Sequence, residues 1–349
     1  MRLEATGIAA GKEIDAAPDR YERMLYRRAG DSGLVLSAIS LGAWLTFGGY
    51  RDADVTRDCF RLAFDLGITH FDFANNYGDP PGQAEILCGE IIRQDLPRDE
   101  VIVSSKAGHR MWPGPYGEWC SKKALVASCE QSLQRLGLEY LDVFYLHRVD
   151  WDTRFEEQLE ALDLLIRQGK VLYGGVSSWS FPQLRTGEAF TTMQELADRR
   201  GLAPIVLHQP EYSLLRRGLE TELFPRLGAT GTGAVAFRAL ASGLLTDRFL
   251  DDDVPPESSR AKLWGPERTR AQLEDAGVER LRGLAAIASN RGQTLAQMAI
   301  AWVLRLPAVT TVLIGVSAPE QLRENVAALE RLEFSEDELR AIDELTVDA

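Results

Sequence analysis

At 349 residues and 45% hydrophobic content, the chain carries enough apolar sequence for a large core, which excludes disorder as its default state. Its 52 acidic residues outnumber 39 basic ones, and the resulting net charge of −13 with a pI near 5.0 excludes nucleic acid and anionic membranes as partners. The four cysteines show no Cys-x-x-Cys pairing, and no apolar run approaches the roughly 18 residues of a membrane span, so a cytoplasmic protein with reduced structural thiols is predicted.

Residues 1–24 are small, polar and aperiodic, and are predicted to form a flexible extension ahead of one domain over 25–349. Tyr26 to Leu36 then reads as a hairpin turning at Gly30–Gly33, a plug for one end of a barrel. The Gly-Asp-Ser-Gly run at that turn resembles a serine-protease nucleophile motif, but no His and Asp partners are arranged to serve it. Short apolar strands follow over 38–42, 69–73, 101–105, 141–146, 172–176, 204–208, 233–237 and 310–314. Between them lie segments of helical periodicity, including 57–66, 122–136, 155–168 and 295–304. Eight strand-helix units without a compositional break predict an α/β protein, a single (β/α)8 TIM barrel with an N-terminal β-hairpin plug. The acidic, proline-bearing stretch 251–259 reads as a long loop after the seventh strand, and Ser335 as the N-cap of a terminal helix.

Three of the strands each end in chemistry: Ile68–Tyr77 delivers Asp72 and Tyr77, Val101–Ser105 runs into Lys106, and Leu141–Leu146 runs into His147. The carboxyl ends of barrel strands are where such folds place catalysis. A phenol with an ordinary pKa of about 10 is a poor acid at neutral pH, so Lys106 beside Tyr77 is predicted to pull its pKa down. A buried lysine needs a counter-ion, for which Asp72 is the candidate. His147 is able to hold a carbonyl oxygen beside the Tyr77 hydroxyl. A set that protonates a carbonyl needs a hydride from elsewhere, which implies a nicotinamide cofactor.

These residues, in the runs Phe71–Gly78, Ser104–Gly108 and Tyr145–Arg148, resemble the aldo-keto reductases, whose catalytic tetrad is Asp, Tyr, Lys and His in that order. The resemblance covers nearly all of the chain after Tyr21. Leu41–Gly49 resembles the branch that contains potassium-channel β subunits, and Lys106–Glu118 the bacterial L-glyceraldehyde 3-phosphate reductases. It implies NADPH-dependent reduction of small aldehydes, phosphorylated trioses or methylglyoxal among them, with a small-molecule carbonyl as partner and a homo-oligomer as one of the family's assembly states.

A Gly-x-Gly-x-x-Gly turn between strand and helix is absent, since Gly228–Gly233 precedes a strand, and no tyrosine is followed by lysine four positions on, as a short-chain dehydrogenase requires. The phosphate site is instead expected after the last strand, where Gly315 and Ser317 precede a helix start. Ser177, Ser178 and Gln209 carry groups suited to a carboxamide. The resemblance adds Gln321, Glu324 and Asn325 around an adenosine 2′-phosphate, with Arg248 and Arg260 as phosphate clamps. It also implies Asp72 and Trp44 at the cofactor, Phe237 stacked on the nicotinamide, and Leu240, Ser242 and Gly243 on the pyrophosphate. Ser178 and Arg238-Ala239 depart from the family's usual Ser-Asn or Ser-Arg and Ser-Pro. For the substrate, Trp44, Met111, Trp112 and Tyr116, together with Trp119, are expected to wall the pocket, with Arg148 or Arg110 meeting an anionic group.

Two other functions compete. The first is a cofactor-binding, redox-sensing regulatory subunit like the channel β subunits; those relatives carry Asn where this chain has His147, which favours turnover. The second is a metal-dependent hydrolase, disfavoured by only four histidines and no His-x-His pair, so no metal is expected.

Overall fold

The computed structural model describes residues 16–178, 186–250 and 265–346. Eight parallel strands close into a barrel: β3 Ile39–Gly42, β4 His70–Asp72, β5 Ile102–Ala107, β6 Leu141–Leu146, β7 Val171–Ser177, β8 Ile205–Gln209, β9 Gly233–Phe237 and β10 Val309–Ile314. Each pairs with its neighbour in sequence, and β10 pairs back onto β3 through Val312–Ile39. Every predicted strand is present, with ends within two residues of expectation. The domain is an α/β (β/α)8 barrel.

An antiparallel hairpin, β1 Tyr26–Arg28 and β2 Val35–Ser37, closes the end opposite the site. Alternation along β2 leaves Val35 outside while Leu34 and Leu36 join Val143, Tyr145, Leu207 and Val235 in a core inside the barrel. Its turn is pinned by an Asp31 amide donating to the Gly231 carbonyl at 2.9 Å. Gly30 there has φ +53°, and a Cβ would sit 1.9 Å from the Gly231 oxygen, so only glycine fits. Just before the hairpin, the described end of the expected extension is anchored. Ala17 donates its amide to Asp65, Arg20 pairs with Glu100 at 2.7 Å, and Met24 is buried.

Outer helices begin where short polar side chains accept the free first-turn amides. Asp52 caps α1 Ala53–Asp65, and Ser121 caps the helix over Lys122–Leu136. Thr294 and Gln297 form a reciprocal capping box on Leu295–Leu304. Gly137 ends the second of these in the left-handed conformation at φ 67°. The four cysteines are buried and form no disulfide. Burial pushes the Cys59 thiol up to about 11 and Cys120 and Cys129 to about 12, which makes them poor nucleophiles. Among the described residues no helix is long and apolar enough to cross a membrane.

Candidate active site

At the carboxyl ends of the strands lies a cavity of about 630 Å³. Because parallel strands share one direction, Gly42, Asp72, Lys106, His147, Ser177, Gln209, Phe237 and Ile314 all come to this mouth, each from a different strand.

Asp72 and Lys106 lie at the floor and are completely buried. The Lys106 ammonium donates to Asp72 Oδ2 at 2.5 Å, to the Phe73 carbonyl at 2.6 Å and to the Tyr77 hydroxyl at 3.4 Å. Asp72 Oδ1 accepts from Ser104 Oγ at 2.6 Å and from Gln209 Nε2 at 3.1 Å. The Tyr77 ring meets His147 edge-on at 5.9 Å between centroids, and both line the cavity. The tetrad predicted from four separate strand ends is thus one cluster.

Its electrostatics differ from expectation in one respect. Lys106 was predicted to draw the Tyr77 pKa down, yet burial, followed by the Asp72 carboxylate, holds it well above the ordinary phenol value, with Arg238 the opposing charge. The Lys106 charge is largely committed to Asp72 and the Phe73 carbonyl. Burial lowers Lys106 below its usual value, and Asp72 and Glu85 raise it. Burial also holds His147 well below 6.5, reinforced by Lys106, His109 and Arg148, so its imidazole is neutral at pH 7. The resting site therefore holds an intact phenol, a neutral imidazole and an ammonium.

Of the residues predicted for the cofactor, Trp44, Ser177, Ser178, Gln209, Phe237, Leu240, Ser242, Gly243, Arg248, Gly315, Ser317, Gln321, Glu324 and Asn325 all line the cavity. Asp72 lies beneath it, and Arg260 falls outside the described residues. Gln321 Oε1 accepts from both the amide and the hydroxyl of Ser317, at 2.9 and 3.0 Å, folding the turn ahead of the helix Pro319–Val326. Among the described residues no side chain caps that helix, which leaves its first amides available to an anion. Gln209 donates one Nε2 hydrogen to Asp72, which links the residues expected at a carboxamide to the tetrad.

Predicted substrate residues fare differently. Trp44 lines the cavity, but Met111, Trp112, Tyr116 and Arg148 do not. Tyr116 is exposed under Lys123. Arg148 is committed to Glu118 at 2.5 Å and to the Gly108 carbonyl at 2.8 Å, with its guanidinium 3.6 Å from the Trp119 ring centre. Arg110 pairs with the same Glu118 at 3.0 Å, so one carboxylate is shared by two guanidiniums and the cluster keeps a net positive charge.

Several lining residues escaped the sequence. His109 sits 4.5 Å from His147, ring to ring, and Asn76, Glu211 and Arg238 are among the other lining residues. Arg238 bonds Glu211 at 3.2 Å, reaches over Trp44 at 5.4 Å and keeps a buried Nε without a partner. Six described non-glycine residues have positive φ, and four of them, Leu45, Ser178, Arg238 and Ser242, line this cavity. Strain of that kind gathers where a ligand must be held. Ser178 and Arg238, the departures visible in sequence, were the available signal.

Burial of neutral histidines has a consequence for stability. His70 is pushed down to about 4 and His208 to about 3, both by burial, whereas an unfolded histidine titrates near 6.5. A depressed folded pKa contributes stability that is present above pH 6.5 and lost as pH falls toward the folded value. Each group costs about 1.4 kcal/mol per pH unit across that window. Among the described residues His208 has no hydrogen-bond partner on either ring nitrogen, and it packs edge-on to Phe190. His208→Met is therefore expected to leave stability near-unchanged at pH 7.5 and to shallow its decline between pH 6 and 4.5. Urea unfolding across that range checks this; an unchanged slope would contradict it.

A family profile described as the aldo/keto reductase family matches residues 38–347, and the chain belongs to that family. Over 338 residues, 95% of each chain, it is 47% identical to L-glyceraldehyde 3-phosphate reductase of Escherichia coli strain K12, and a similar match is found in strain O157:H7. Over 311 residues, 88% of this chain and 92% of the other, it is 35% identical to an Arabidopsis thaliana protein named "Probable voltage-gated potassium channel subunit beta". The chain is an oxidoreductase of a family that uses NAD(P)H.

Proposed function

We propose that the protein reduces small aldehydes to alcohols with NADPH, Tyr77 supplying the proton. The observation that carries this is the convergence of the Tyr77 hydroxyl, the Lys106–Asp72 pair and neutral His147 on one cavity. The donor set fits a dinucleotide. Ser177 and Ser178 are suited to a carboxamide, Phe237 offers a stacking face, and Leu240, Ser242 and Gly243 would follow a pyrophosphate. Gly315, Ser317, Gln321, Glu324, Asn325 and Arg248 would surround the adenosine end. Arg260, outside the described residues, remains part of the proposed phosphate clamp.

Reduced nicotinamide, when bound, supplies the hydride from C4. The protein does the rest. His147, uncharged, holds the carbonyl oxygen, and Tyr77 gives that oxygen its proton. Lys106 stabilises the phenolate left behind, and Asp72 keeps Lys106 charged in a dry site. Because burial keeps the phenol protonated at rest, the acid is loaded before substrate arrives. The relatives named for L-glyceraldehyde 3-phosphate favour a phosphorylated triose, with methylglyoxal as the unphosphorylated alternative. Asp72, Tyr77, Lys106 and His147 are the catalytic residues on this account. Met111, Trp112, Tyr116 and Arg148 remain proposed substrate contacts only through movement of their loop. The buried, unpaired cysteines support a cytoplasmic setting.

A panel of aldehydes, phosphorylated and not, with both enantiomers of glyceraldehyde 3-phosphate, tests the proposal by cofactor oxidation. Turnover with NADPH is expected to exceed that with NADH by about tenfold or more in kcat/KM, the scale of one charged hydrogen bond. Arg248→Ala is expected to narrow that gap. Comparable turnover with both cofactors would overturn the preference. The 35% identity to channel β-subunit proteins keeps a redox-sensing regulatory subunit as the second reading. Tightly held NADP+ with no aldehyde reduction would favour it.

A further inference from the structure

We propose that His70 and Ser104, with Ser40 and Thr311 behind them, form a one-way hydrogen-bond relay that orients the Asp72 carboxylate toward Lys106, making His70 and Ser104 positioning residues. The functional half of this inference rests on the reductase reading; the relay itself does not.

Side chains two positions apart on a strand share a face, so His70 lies one layer below Asp72 on β4, and Ser104 one layer below Lys106 on β5. Ser40 on β3 and Thr311 on β10 lie next to them in turn, and all four are fully buried. Barrel interiors are ordinarily filled by branched apolar side chains, and unpaired polar groups there are costly. Here the four are linked: Thr311 Oγ1 to Ser40 Oγ at 2.6 Å, Ser40 Oγ to His70 Nδ1 at 2.9 Å, and His70 Nε2 to Ser104 Oγ at 2.9 Å. Ser104 Oγ then reaches Asp72 Oδ1 at 2.6 Å.

The carboxylate sets the direction of every bond. An ionised carboxylate only accepts, so Ser104 donates to it. A serine hydroxyl has one hydrogen, so Ser104 must accept from His70, which places the imidazole proton on Nε2. Burial keeps that ring neutral, so Nδ1 accepts from Ser40, and Ser40 accepts from Thr311. Four dipoles thus point toward Asp72. With Gln209 also on Oδ1 and Lys106 on Oδ2, three donors hold the carboxylate. Without Ser104, the carboxylate loses one of its three donors and is less firmly held against the Lys106 ammonium, which then stabilises phenolate less well. The other titratable or charged groups facing this pair are Tyr77, Tyr145, His147, Glu85 and Arg238.

Nitrogen NMR of the full-length protein labelled at histidine tests the relay without reference to activity. With four histidines, the His70 signals are assigned by their loss in His70→Gln. At pH 7 the expected pattern is a protonated Nε2 and a bare Nδ1, unchanged to about pH 5. The reverse tautomer, or titration near 6.5, would overturn the relay. Ser104→Ala and His70→Leu are expected to lower kcat about tenfold, with KM within twofold, and to move the pH profile of kcat by about one unit. His70→Gln, which keeps a donor toward Ser104, is expected to restore the wild-type pH profile. Unshifted profiles in both Ser104→Ala and His70→Leu would overturn the positioning role. Should the wild type reduce no aldehyde, the reductase reading fails while the tautomer still decides the relay.

Discussion

Tyr77→Phe is expected to lower kcat for aldehyde reduction by about 10²–10⁴-fold, the range of a single positioned proton donor. The ring is held independently of its hydroxyl: it is buried, lies 5.0 Å from the Lys106 ammonium and packs edge-on to His147. The fold and the affinity for NADPH should therefore persist, which separates a lost proton from a lost site. A fall in kcat and kcat/KM together is the signature of an interaction made in the transition state. Steady-state NADPH oxidation gives the first quantity, and calorimetric titration of NADPH gives the affinity. Near-normal turnover in Tyr77→Phe with NADPH bound would remove Tyr77 as the acid.

The second large effect concerns the Lys106–Asp72 pair, which is fully buried and 2.5 Å across. Removing one member of such a pair leaves a stranded charge, at a cost of about 3–5 kcal/mol, whereas replacing both by neutral groups is often close to neutral. Asp72→Asn and Lys106→Met are each expected to destabilise the protein on that scale, and the double variant by clearly less than their sum. Lys106→Met is the milder single, because Ser104 and Gln209 still donate to Asp72, whereas Asp72→Asn leaves the ammonium only uncharged acceptors, the new amide oxygen, the Phe73 carbonyl and the Tyr77 hydroxyl. Activity is expected to be lost in all three. Urea unfolding measures the cycle; strict additivity would show that the two charges are not coupled, and retained turnover in the double variant would remove the pair from the chemistry.

The barrel was legible in the chain because its signals are local. Strands such as Leu141–Leu146 are continuous apolar runs, as buried parallel strands must be, and Lys122–Leu136 carries a serine cap, helical periodicity and a terminal glycine in one stretch. The tetrad was legible too, since each member sits at a strand end and parallel strands bring those ends to one mouth. Most of the residues expected at a cofactor came from resemblance, and those described line one cavity or lie beneath it. The residues expected at the substrate, Trp44 apart, lie off the cavity lining, because an aromatic-rich run shows neither which way its rings face nor that Arg148 is tied to Glu118.

The order of strands and helices, the plug and the meeting of Asp72, Tyr77, Lys106 and His147 were determined by the sequence alone, through periodicity and the common direction of the strands. Only the tertiary structure decided the state of those groups. Burial depends on what the rest of the chain places around a side chain, and here it raises the Tyr77 phenol, lowers His147 and spends the Lys106 charge on Asp72. The same holds for Arg238, which is drawn to Glu211 and over Trp44, and for the polar layer at Ser40, His70, Ser104 and Thr311. Ser40, His70 and Ser104 come from three strands that pair in succession, and closure of the sheet between β10 and β3 adds Thr311.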